Sequence, residues 1–305
     1  MKTLKYYLKQ AQEEKFAIGQ FNFSDFTQMK AILAAAEKMR APVILGTSEG
    51  ESKFFGLDEA VALRNVLRKK IDLPIFLNLD HGKSFEYLKE AIDAGYDMVH
   101  FDGSKLPLEE NIKITKEVVK YAKSASAGLG GWRRRGVLVE GEVGRIGTDS
   151  SKIYSEKFEI KEEDLTRPEE AKDYAKKTGV DLLAISIGNF HGIEISGIDP
   201  NIRLDVLAKI QEALRQAQGK TKNAFLVLHG GSGTPEDDIK EAIKFRIVKI
   251  NINTEIRAAF SENLRKSLDK DKEEIVPYKF LASAKNSVEK VVELKIKLFG
   301  SENKV

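Results

Sequence analysis

Three histidines occupy positions where this chain could bind a metal. The sequence has four histidines, and His81, His191 and His229 each lie just beyond a short apolar run and directly before a glycine. Any one of them alone is more typical of a hydrogen-bonded structural residue. Three at equivalent positions instead predict a catalytic zinc site, because three neutral imidazoles and one open position are its usual composition.

The fourth histidine is different. His100 lies inside the apolar run Met98–Phe101 and not after it. This position predicts a buried histidine in the wall of the fold, and not a metal ligand.

Carboxylates accompany the histidines. Asp80 precedes His81, Asp102 follows the run that holds His100, and Glu140 and Glu142 end another apolar run. Asp80 suits proton transfer to or from a substrate hydroxyl, or alternatively the orientation of a ligand histidine. Glu140 and Glu142 share one face of an extended strand, and the pattern leaves open which of the two is structural.

A third group of residues suits a phosphate. The glycine-rich segment 229–235 follows an apolar run, and Asn251-Ile252-Asn253-Thr254 follows the next one. Backbone N–H groups of such a turn, together with the Ser232 hydroxyl, can bind a phosphate dianion. A glycine-rich turn is often only a sign of tight packing, so its position beside His229 is what favours phosphate binding.

Short apolar runs alternate with amphipathic stretches along the whole chain, which predicts alternating strands and helices. The predicted strands are Ala17–Phe21, Val43–Gly46, Ile75–Leu79, Met98–Phe101, Gly136–Val139, Leu182–Ile187, Phe225–Leu228 and Ile247–Ile250. The predicted helices are Phe26–Met39, Leu57–Lys69, Ser84–Ala94, Leu108–Ala122, Pro168–Lys177, Arg203–Gln216, Pro235–Lys244, Glu255–Leu268 and Ser287–Leu298.

This order predicts an α/β fold, a single (β/α)8 TIM barrel over residues 1–305 with an additional C-terminal helix. An open Rossmann or flavodoxin-like sheet is the alternative, but it needs a glycine-rich first turn. The first turn here reads Phe21-Asn22-Phe23-Ser24-Asp25. Closure of a barrel would bring the three histidines, which follow different strands, to one mouth.

Two connections are long. The first, Ser124–Arg135, enters the fifth predicted strand at its N-terminal end and is interpreted as a solvated surface feature. The second, Gly144–Thr166, leaves the opposite end of that strand, where barrel active sites lie. We interpret it as a lid.

The composition of the chain excludes several kinds of partner and of metal site. Fifty Lys and Arg against 47 Asp and Glu give a net charge of only +3, so neither nucleic acid nor a membrane is expected as a partner. The absence of cysteine excludes disulfides and thiolate ligands. We find no signal-peptide pattern and no apolar stretch of membrane-spanning length, and expect a cytoplasmic protein.

Taken together, these motifs resemble the class II, zinc-dependent fructose-bisphosphate aldolase family, which includes the tagatose-bisphosphate aldolases. The resemblance extends from the first predicted strand to the last. It is carried by Gly19-Gln20-Phe21-Asn22, Thr47-Ser48-Glu49-Gly50, Leu79-Asp80-His81-Gly82, Asp102-Gly103-Ser104, Val139-Glu140-Gly141-Glu142-Val143-Gly144, Gly188-Asn189-Phe190-His191-Gly192, Leu228-His229-Gly230-Gly231-Ser232-Gly233 and Lys249-Ile250-Asn251-Ile252-Asn253-Thr254-Glu255.

The resemblance implies a role for each matching residue. His81, His191 and His229 would hold the zinc, Asp80 would be the acid/base, and Asp102 with Glu142 would form a second divalent metal position. The phosphate of dihydroxyacetone phosphate would be held by Gly192, Gly230, Gly231, Ser232, Asn251, Asn253 and Thr254. Further substrate contacts would come from Asn22, Ser48 and Arg257. The resemblance also allows a monovalent cation, and a homodimer or higher homo-oligomer is expected.

The chain departs from the family at two places. After histidine-glycine the family usually has tyrosine-lysine, where this chain has Ile193-Glu194, so a phosphate-binding cation is missing. The loop after the fifth strand lacks the family's glycine-glycine-x-glutamate-aspartate run, and Asp149 is the candidate substitute.

The expected reaction is reversible cleavage of a ketose 1,6-bisphosphate, most simply fructose 1,6-bisphosphate, into dihydroxyacetone phosphate and glyceraldehyde 3-phosphate, as in glycolysis and gluconeogenesis. Tagatose 1,6-bisphosphate is the alternative substrate. A Schiff-base aldolase using Lys249 is less consistent with three strand-end histidines. A non-catalytic barrel subunit that binds metal and phosphate would be expected to have lost Asp80 or a histidine.

Overall fold

The structure is a computed structural model that describes residues 2–128, 136–146, 153–154, 161–194, 201–216 and 224–305. Within these residues, eight parallel strands close into a barrel in the order β1-β10-β9-β7-β5-β4-β3-β2. The barrel strands are β1 (Ile18–Asn22), β2 (Val43–Ser48), β3 (Ile75–Gly82), β4 (Met98–Phe101), β5 (Leu138–Val143), β7 (Leu182–Ile185), β9 (Phe225–Leu228) and β10 (Ile247–Ile252). A separate two-stranded sheet pairs β6 (Ile153–Tyr154) with β8 (Ile193–Glu194).

Helices surround the barrel and follow the strands in the alternation that a parallel sheet requires. They are α1 (Leu4–Glu14), α2 (Phe26–Met39), α3 (Glu49–Phe55), α4 (Leu57–Ile71), α5 (Phe85–Ala94), α6 (Leu108–Gly128), α7 (Pro168–Thr178), α8 (Leu204–Gln216), α9 (Glu236–Lys244), α10 (Thr254–Lys270) and α11 (Pro277–Leu298). The predicted (β/α)8 barrel with an extra C-terminal helix is therefore confirmed.

Several boundaries differ from the sequence prediction. The fifth strand starts at Leu138 and extends to Val143, so Glu140 and Glu142 lie inside it and not beyond its end. Two helices were not predicted, α1 and α3. The α1 stretch places its buried residues Leu4, Tyr7, Leu8 and Ala11 at helical spacing.

The two predicted long loops are only partly described. Helix α6 extends to Gly128, so the stretch from Ser124 was wrongly assigned to a loop, and 129–135 lie outside the described residues. Of the predicted lid, 147–152 and 155–160, including Asp149, also lie outside them. Within the described part of the lid, β6 pairs with β8 directly after Gly192, which places this part of the loop beside the strand-end histidine region.

The interior of the barrel changes character along the strands. At the N-terminal end, the inward residues form an apolar cluster that includes Ile18, Ile44, Phe76, Met98 and Leu138. Successive inward residues are two positions apart, so the next ones are polar. They include Gln20, Asn78, His100 and Glu140, all buried. The strands thus carry their polar side chains toward one mouth.

Candidate active site

Two histidines face each other at the mouth. His81 is the next-to-last residue of β3, His229 follows β9, and His81 Nε2 lies 3.0 Å from His229 Nδ1. The opposite nitrogen of each ring contacts a carboxylate, at 3.1 Å between His81 Nδ1 and Asp102 Oδ2 and at 2.7 Å between His229 Nε2 and Glu140 Oε1. When each ring donates its N–H to its carboxylate, the two facing nitrogens are both lone pairs.

This arrangement fits a divalent metal. Two lone pairs that face each other are repulsive unless a proton or a cation lies between them. In a tetrahedral zinc site with the usual Zn–N distances, two nitrogen ligands lie about 3.3 Å apart. The observed 3.0 Å between His81 Nε2 and His229 Nδ1 is close to that separation, and the carboxylates behind the rings are the typical supports of metal-binding imidazoles.

The backbone of His81 is unusual. Its φ of 52° lies in the left-handed region, which costs energy for a residue other than glycine and is often found at functional sites. The His81 N–H donates to His100 Nδ1 at 3.1 Å. His100 therefore holds the strained turn, and its Nε2 lies 3.2 Å from Glu142 Oε2. The predicted buried wall histidine is in place, directly beneath the predicted ligands.

His191 joins the same group of rings. Its ring centroid lies 4.7 Å from that of His81 and 5.8 Å from that of His229. The rings of the three predicted zinc ligands therefore lie near one another, although they follow three different strands. Among the described residues, the ligand atoms that lie within 4.8 Å of one another form two sets, and His191 belongs to neither. These sets are Asp80, His81, His100 and His229, and His81, Asp102 and Glu142.

The charges at this mouth favour a cation. Burial raises the pKa of Asp80, but nearby His81 and the other cationic groups outweigh it and hold that pKa well below its usual value. Burial likewise opposes ionisation of Asp102, yet its contact with His81 lowers the pKa of that carboxyl. Burial and the adjacent Asp102 charge raise the pKa of Glu142. The ionised carboxylates of Asp80 and Asp102 thus lie beside the histidines, where their negative charge favours a bound cation.

Two of the three histidines are held in the neutral form that binds a metal. Burial lowers the pKa of His229 to about 3, despite the opposing effect of Glu140. Burial and the neighbouring His81 also keep the pKa of His191 well below its usual value. For His81, burial lowers the pKa but the carboxylates of Asp80 and Asp102 outweigh it and raise it. Because metal ligands must be neutral imidazoles, His229 and His191 are already in the required state.

Glu140 and Lys249 form a buried ion pair behind the site. Lys249 Nζ lies 2.9 Å from Glu140 Oε2 and 2.8 Å from Asn251 Oδ1, and Glu140 also accepts from His229. Burial opposes ionisation of Glu140, but Lys249 and His229 outweigh it and lower its pKa. Of the two glutamates on this strand face, Glu140 therefore supports His229, while Glu142 lies 3.8 Å from His81 Nδ1.

Asp80 is held by two amides. Asn22 Nδ2 donates to Asp80 Oδ2 and Asn251 Nδ2 donates to Asp80 Oδ1, both at 3.0 Å. Asp80 is buried, and donors on both oxygens favour its ionised form. A carboxylate fixed in this way beside the histidines is suited to accept a proton from a bound substrate.

A cleft opens beside Asp80 and His191. The rest of its lining consists of predicted phosphate-binding residues, Gly192, Gly230, Ser232, Asn251, Asn253 and Thr254. Thr254 begins α10, whose N-terminal N–H groups favour an anion. A wider cleft between Gln12, Arg215 and Arg246 lies at the opposite end of the barrel, away from the histidines.

Parts of the predicted phosphate loop are already engaged. The Gly231 N–H donates to the Asn251 carbonyl oxygen, and the Gly233 N–H donates to Glu255 Oε1 at 2.9 Å. A Cβ at Gly231 would lie 2.6 Å from Ile250 Cγ2, so close packing explains this glycine. Asn253 Oδ1 is buried and makes no hydrogen bond among the described residues, which leaves it as an acceptor for a donor group or a cation.

Two predicted substrate contacts have other partners. Ser48 caps α3, where its side chain accepts the Glu51 N–H at 3.3 Å. Arg257 was predicted to reach a phosphate, and its Nη2 lies 2.5 Å from Glu51 Oε1. Sequence reasoning overlooked Glu51, although the spacing Ser48-x-x-Glu51 is the signature of a capping box, which the structure shows.

Comparison with known proteins is consistent with the site. The family described as Fructose-bisphosphate aldolase class-II matches residues 2–304. Proteins named fructose-bisphosphate aldolase from Staphylococcus aureus and Geobacillus stearothermophilus are each 36% identical over 305 residues, covering 99% of this chain and 98% of theirs. The crystal structure of the YdjI aldolase from Escherichia coli K12 superposes with a TM-score of 0.78 at 26% identity, covering 100% of this chain and 99% of that one. Among the helices of the described residues, none has the length and apolar character needed to cross a bilayer.

Proposed function

Because the chain belongs to the class II fructose-bisphosphate aldolase family, a family of metal-dependent lyases, we propose which of its residues perform the aldol cleavage and on which substrate. The substrate we propose is fructose 1,6-bisphosphate, which would be cleaved reversibly into dihydroxyacetone phosphate and glyceraldehyde 3-phosphate. The observation that supports this most is the pair of facing nitrogens of His81 and His229, each ring backed by a carboxylate, with Asp80 beside them.

His81, His191 and His229 would hold the catalytic metal, and zinc is the ion that three imidazoles with an open position suit best. When bound, the metal supplies Lewis-acid polarisation of the substrate ketone oxygen. Asp102 and Glu142, which approach His81 Nδ1 at 3.1 and 3.8 Å, would provide a second divalent position. The buried Oδ1 of Asn253 is suited to a monovalent cation or to a substrate hydroxyl.

Asp80 would carry the proton. In cleavage its carboxylate accepts the proton of the C4 hydroxyl while the C3–C4 bond breaks and the aldehyde forms. In condensation it returns that proton to the new hydroxyl. The amides of Asn22 and Asn251 keep Asp80 ionised and fixed in position, so little reorganisation is needed as the proton moves.

The triose phosphate would lie at the cleft beside Asp80. Ser232, Asn251, Asn253 and Thr254 line it, and the N-terminus of α10 is directed to the same place. Gly192 and Gly230 also line this cleft. At Gly230, whose φ is +61°, a Cβ would lie 2.0 Å from the Phe190 carbonyl oxygen, so the close approach of these two backbone segments explains this glycine.

A Schiff-base mechanism is the alternative reaction. It would need Lys249 as a free amine, but the Lys249 side chain is buried between Glu140 and Asn251, where it acts as a structural cation.

Tagatose 1,6-bisphosphate is the alternative substrate. It differs from the fructose ester only in the configuration at C4, the carbon whose hydroxyl Asp80 would deprotonate. A homo-oligomer and a cytoplasmic location stay predictions.

Assays of the purified protein with both ketose bisphosphates test the proposal. We expect release of dihydroxyacetone phosphate from fructose 1,6-bisphosphate, with a smaller kcat/KM for the tagatose ester. Preference for the tagatose ester would reverse the substrate assignment. Failure to cleave either ester by a protein that retains one equivalent of zinc would contradict the catalytic proposal and favour a binding subunit.

A further inference from the structure

Glu51 is a buried carboxylate to which the predicted chemistry assigns no role. It lies in the first turn of α3 and is 6% exposed. Its Oε2 accepts from the Ser48 N–H at 2.8 Å and from Asn22 Nδ2 at 3.1 Å. Its Oε1 accepts from the Ser24 hydroxyl at 3.3 Å and from Arg257 Nη2 at 2.5 Å. These donors come from β1 and the turn after it, from β2 and from α10, so a single side chain connects three parts of the mouth.

The capping box explains only one of the hydrogen bonds that the Glu51 carboxylate accepts. A capping box needs one oxygen of the third helical residue on the N-cap N–H, and the contact with Ser48 satisfies it. The contacts of Glu51 with Asn22 and Arg257 are additional. An ionised group that accepts several hydrogen bonds in a buried place fixes all of its donors.

Asn22 connects Glu51 to the reacting centre. The Asn22 amide donates one hydrogen to Glu51 and the other to Asp80 Oδ2, and its Oδ1 accepts from Gln20 Nε2 at 3.2 Å. The orientation of the Asn22 amide is therefore fixed both by the acceptors of its N–H groups and by the donor to its oxygen. Gly46 leaves the space for it, because a Cβ there would lie 2.2 Å from Asn22 Oδ1. A rotated amide would turn its oxygen toward Asp80, and the two would repel each other.

We propose that Glu51 is a positioning residue for the proton transfer, acting through Asn22 on Asp80, and that it also holds Arg257 at the edge of the mouth. This inference rests on the proposed role of Asp80. The Arg257 guanidinium is engaged by Glu51, so a distal phosphate must compete with a carboxylate for it. The chain thus uses Arg257 to complete the network and not as a free anion site.

Steady-state kinetics of four variants provide the first test. We expect Glu51→Ala to lower kcat about ten- to a hundredfold with a smaller change in KM, because displacement of a reacting group affects the chemical step. Glu51→Gln keeps an oxygen for Ser48 and Asn22, so it should recover most of that loss. The kcat of Asn22→Ala should match that of Glu51→Ala. The kcat of the double variant should be no more than about threefold below that of the less active single variant.

Glu49→Gln is the matched control. Glu49 lies in the same helix but accepts from the Lys83 N–H and pairs with Lys53, outside the network. It should retain wild-type kcat. Two results would overturn the proposal and show a purely structural cap. One is a loss of kcat in the double variant equal to the product of the two single losses. The other is an equal loss of kcat in Glu51→Gln and Glu51→Ala together with a lowered melting temperature.

A crystal structure of Glu51→Ala gives a readout that does not depend on activity. We expect the Asn22 side chain to rotate, so that Nδ2 no longer lies within hydrogen-bond distance of Asp80. Unchanged Asn22 and Asp80 positions would refute the proposal even if the wild-type protein cleaves sugar bisphosphates. If the wild type cleaves neither ester while Asn22 still moves, the proposed reaction is wrong and the positioning role of Glu51 stands.

Discussion

The two ends of the barrel interior differ in polarity, one being apolar and the other charged. At the N-terminal end of the strands, Phe76, Met98 and Leu138 form an apolar cluster. Helix α1 contributes Tyr7 to this cluster, with its ring centroid 6.0 Å from that of Phe76. At the C-terminal end, the same strands carry buried carboxylates, imidazoles and a lysine. One end excludes water with apolar side chains, whereas the other buries charges that neighbouring charges and hydrogen-bonding groups stabilise.

The difference shows where the molecule is stabilised and where it is prepared for chemistry. An apolar layer gains free energy from every side chain that it removes from water. A buried ionic network gains little net free energy, because desolvation offsets most of the attraction between the charges. The strained backbone of His81 lies at the polar end, as does the buried Asn253 Oδ1, which has no hydrogen-bond partner among the described residues. The polar end therefore has a structure that function explains better than stability does.

Removal of the metal should have the largest effect on the polar end. His81 Nε2 and His229 Nδ1 face each other at 3.0 Å, and a bound cation between them would relieve the repulsion of their lone pairs. We expect chelation followed by dialysis to abolish cleavage and added zinc to restore it, measured as aldehyde release. Full activity in the stripped protein, or inactivation by borohydride with substrate present, would instead indicate the lysine mechanism.

Asp80→Ala should leave the metal bound and remove most of the turnover. A positioned acid/base group contributes roughly a hundred- to ten-thousandfold to the rate, so kcat should fall by that factor. Metal content of the purified variant is the control measurement. Loss of zinc would show that Asp80 belongs to the ligand set with His81, His100 and His229, whose ligand atoms are close enough for it.

Phe76→Ala tests the apolar end, where we expect a loss of stability without a loss of activity. Phe76 is 2% exposed and lies among apolar neighbours, so truncation should cost about 3–5 kcal/mol of the free energy of unfolding. Denaturant unfolding measures that loss, while kcat at a permissive temperature should stay near the wild-type value. A large fall in kcat with little loss of stability would mean that the two ends are not separable.

The sequence predicted the polar end better than the apolar one. His81, His191 and His229 are recognisable because histidine followed by glycine recurs after apolar runs, and barrel closure then brings these residues together. The helix α1 was missed because its hydrophobic stripe is narrow and precedes the first strand. The resemblance implied that Arg257 contacts the substrate, but it gave no sign of the ion pair with Glu51, which is 206 positions away in the sequence. Long-range ion pairs of this kind leave no local pattern.

The smallest expected effect concerns the phosphate cleft. The Gly231 and Gly233 N–H groups already have partners in Asn251 and Glu255, and Ile193-Glu194 stands where the family has a tyrosine and a lysine. Fewer donors are left for the phosphate, so the Ser232 hydroxyl should carry a larger share of the binding.

We therefore expect Ser232→Ala to raise KM for the bisphosphate roughly tenfold, the loss of about one hydrogen bond to a charged group, with kcat changed less. Glu194→Gln is the matched control, and we expect it to leave KM for the bisphosphate unchanged. A large fall of KM in Glu194→Lys would show that the family's cation position persists in this chain. An unchanged KM in Ser232→Ala would place the phosphate on another loop, and the polar end of the barrel would then bind its substrate in a different orientation from the one proposed.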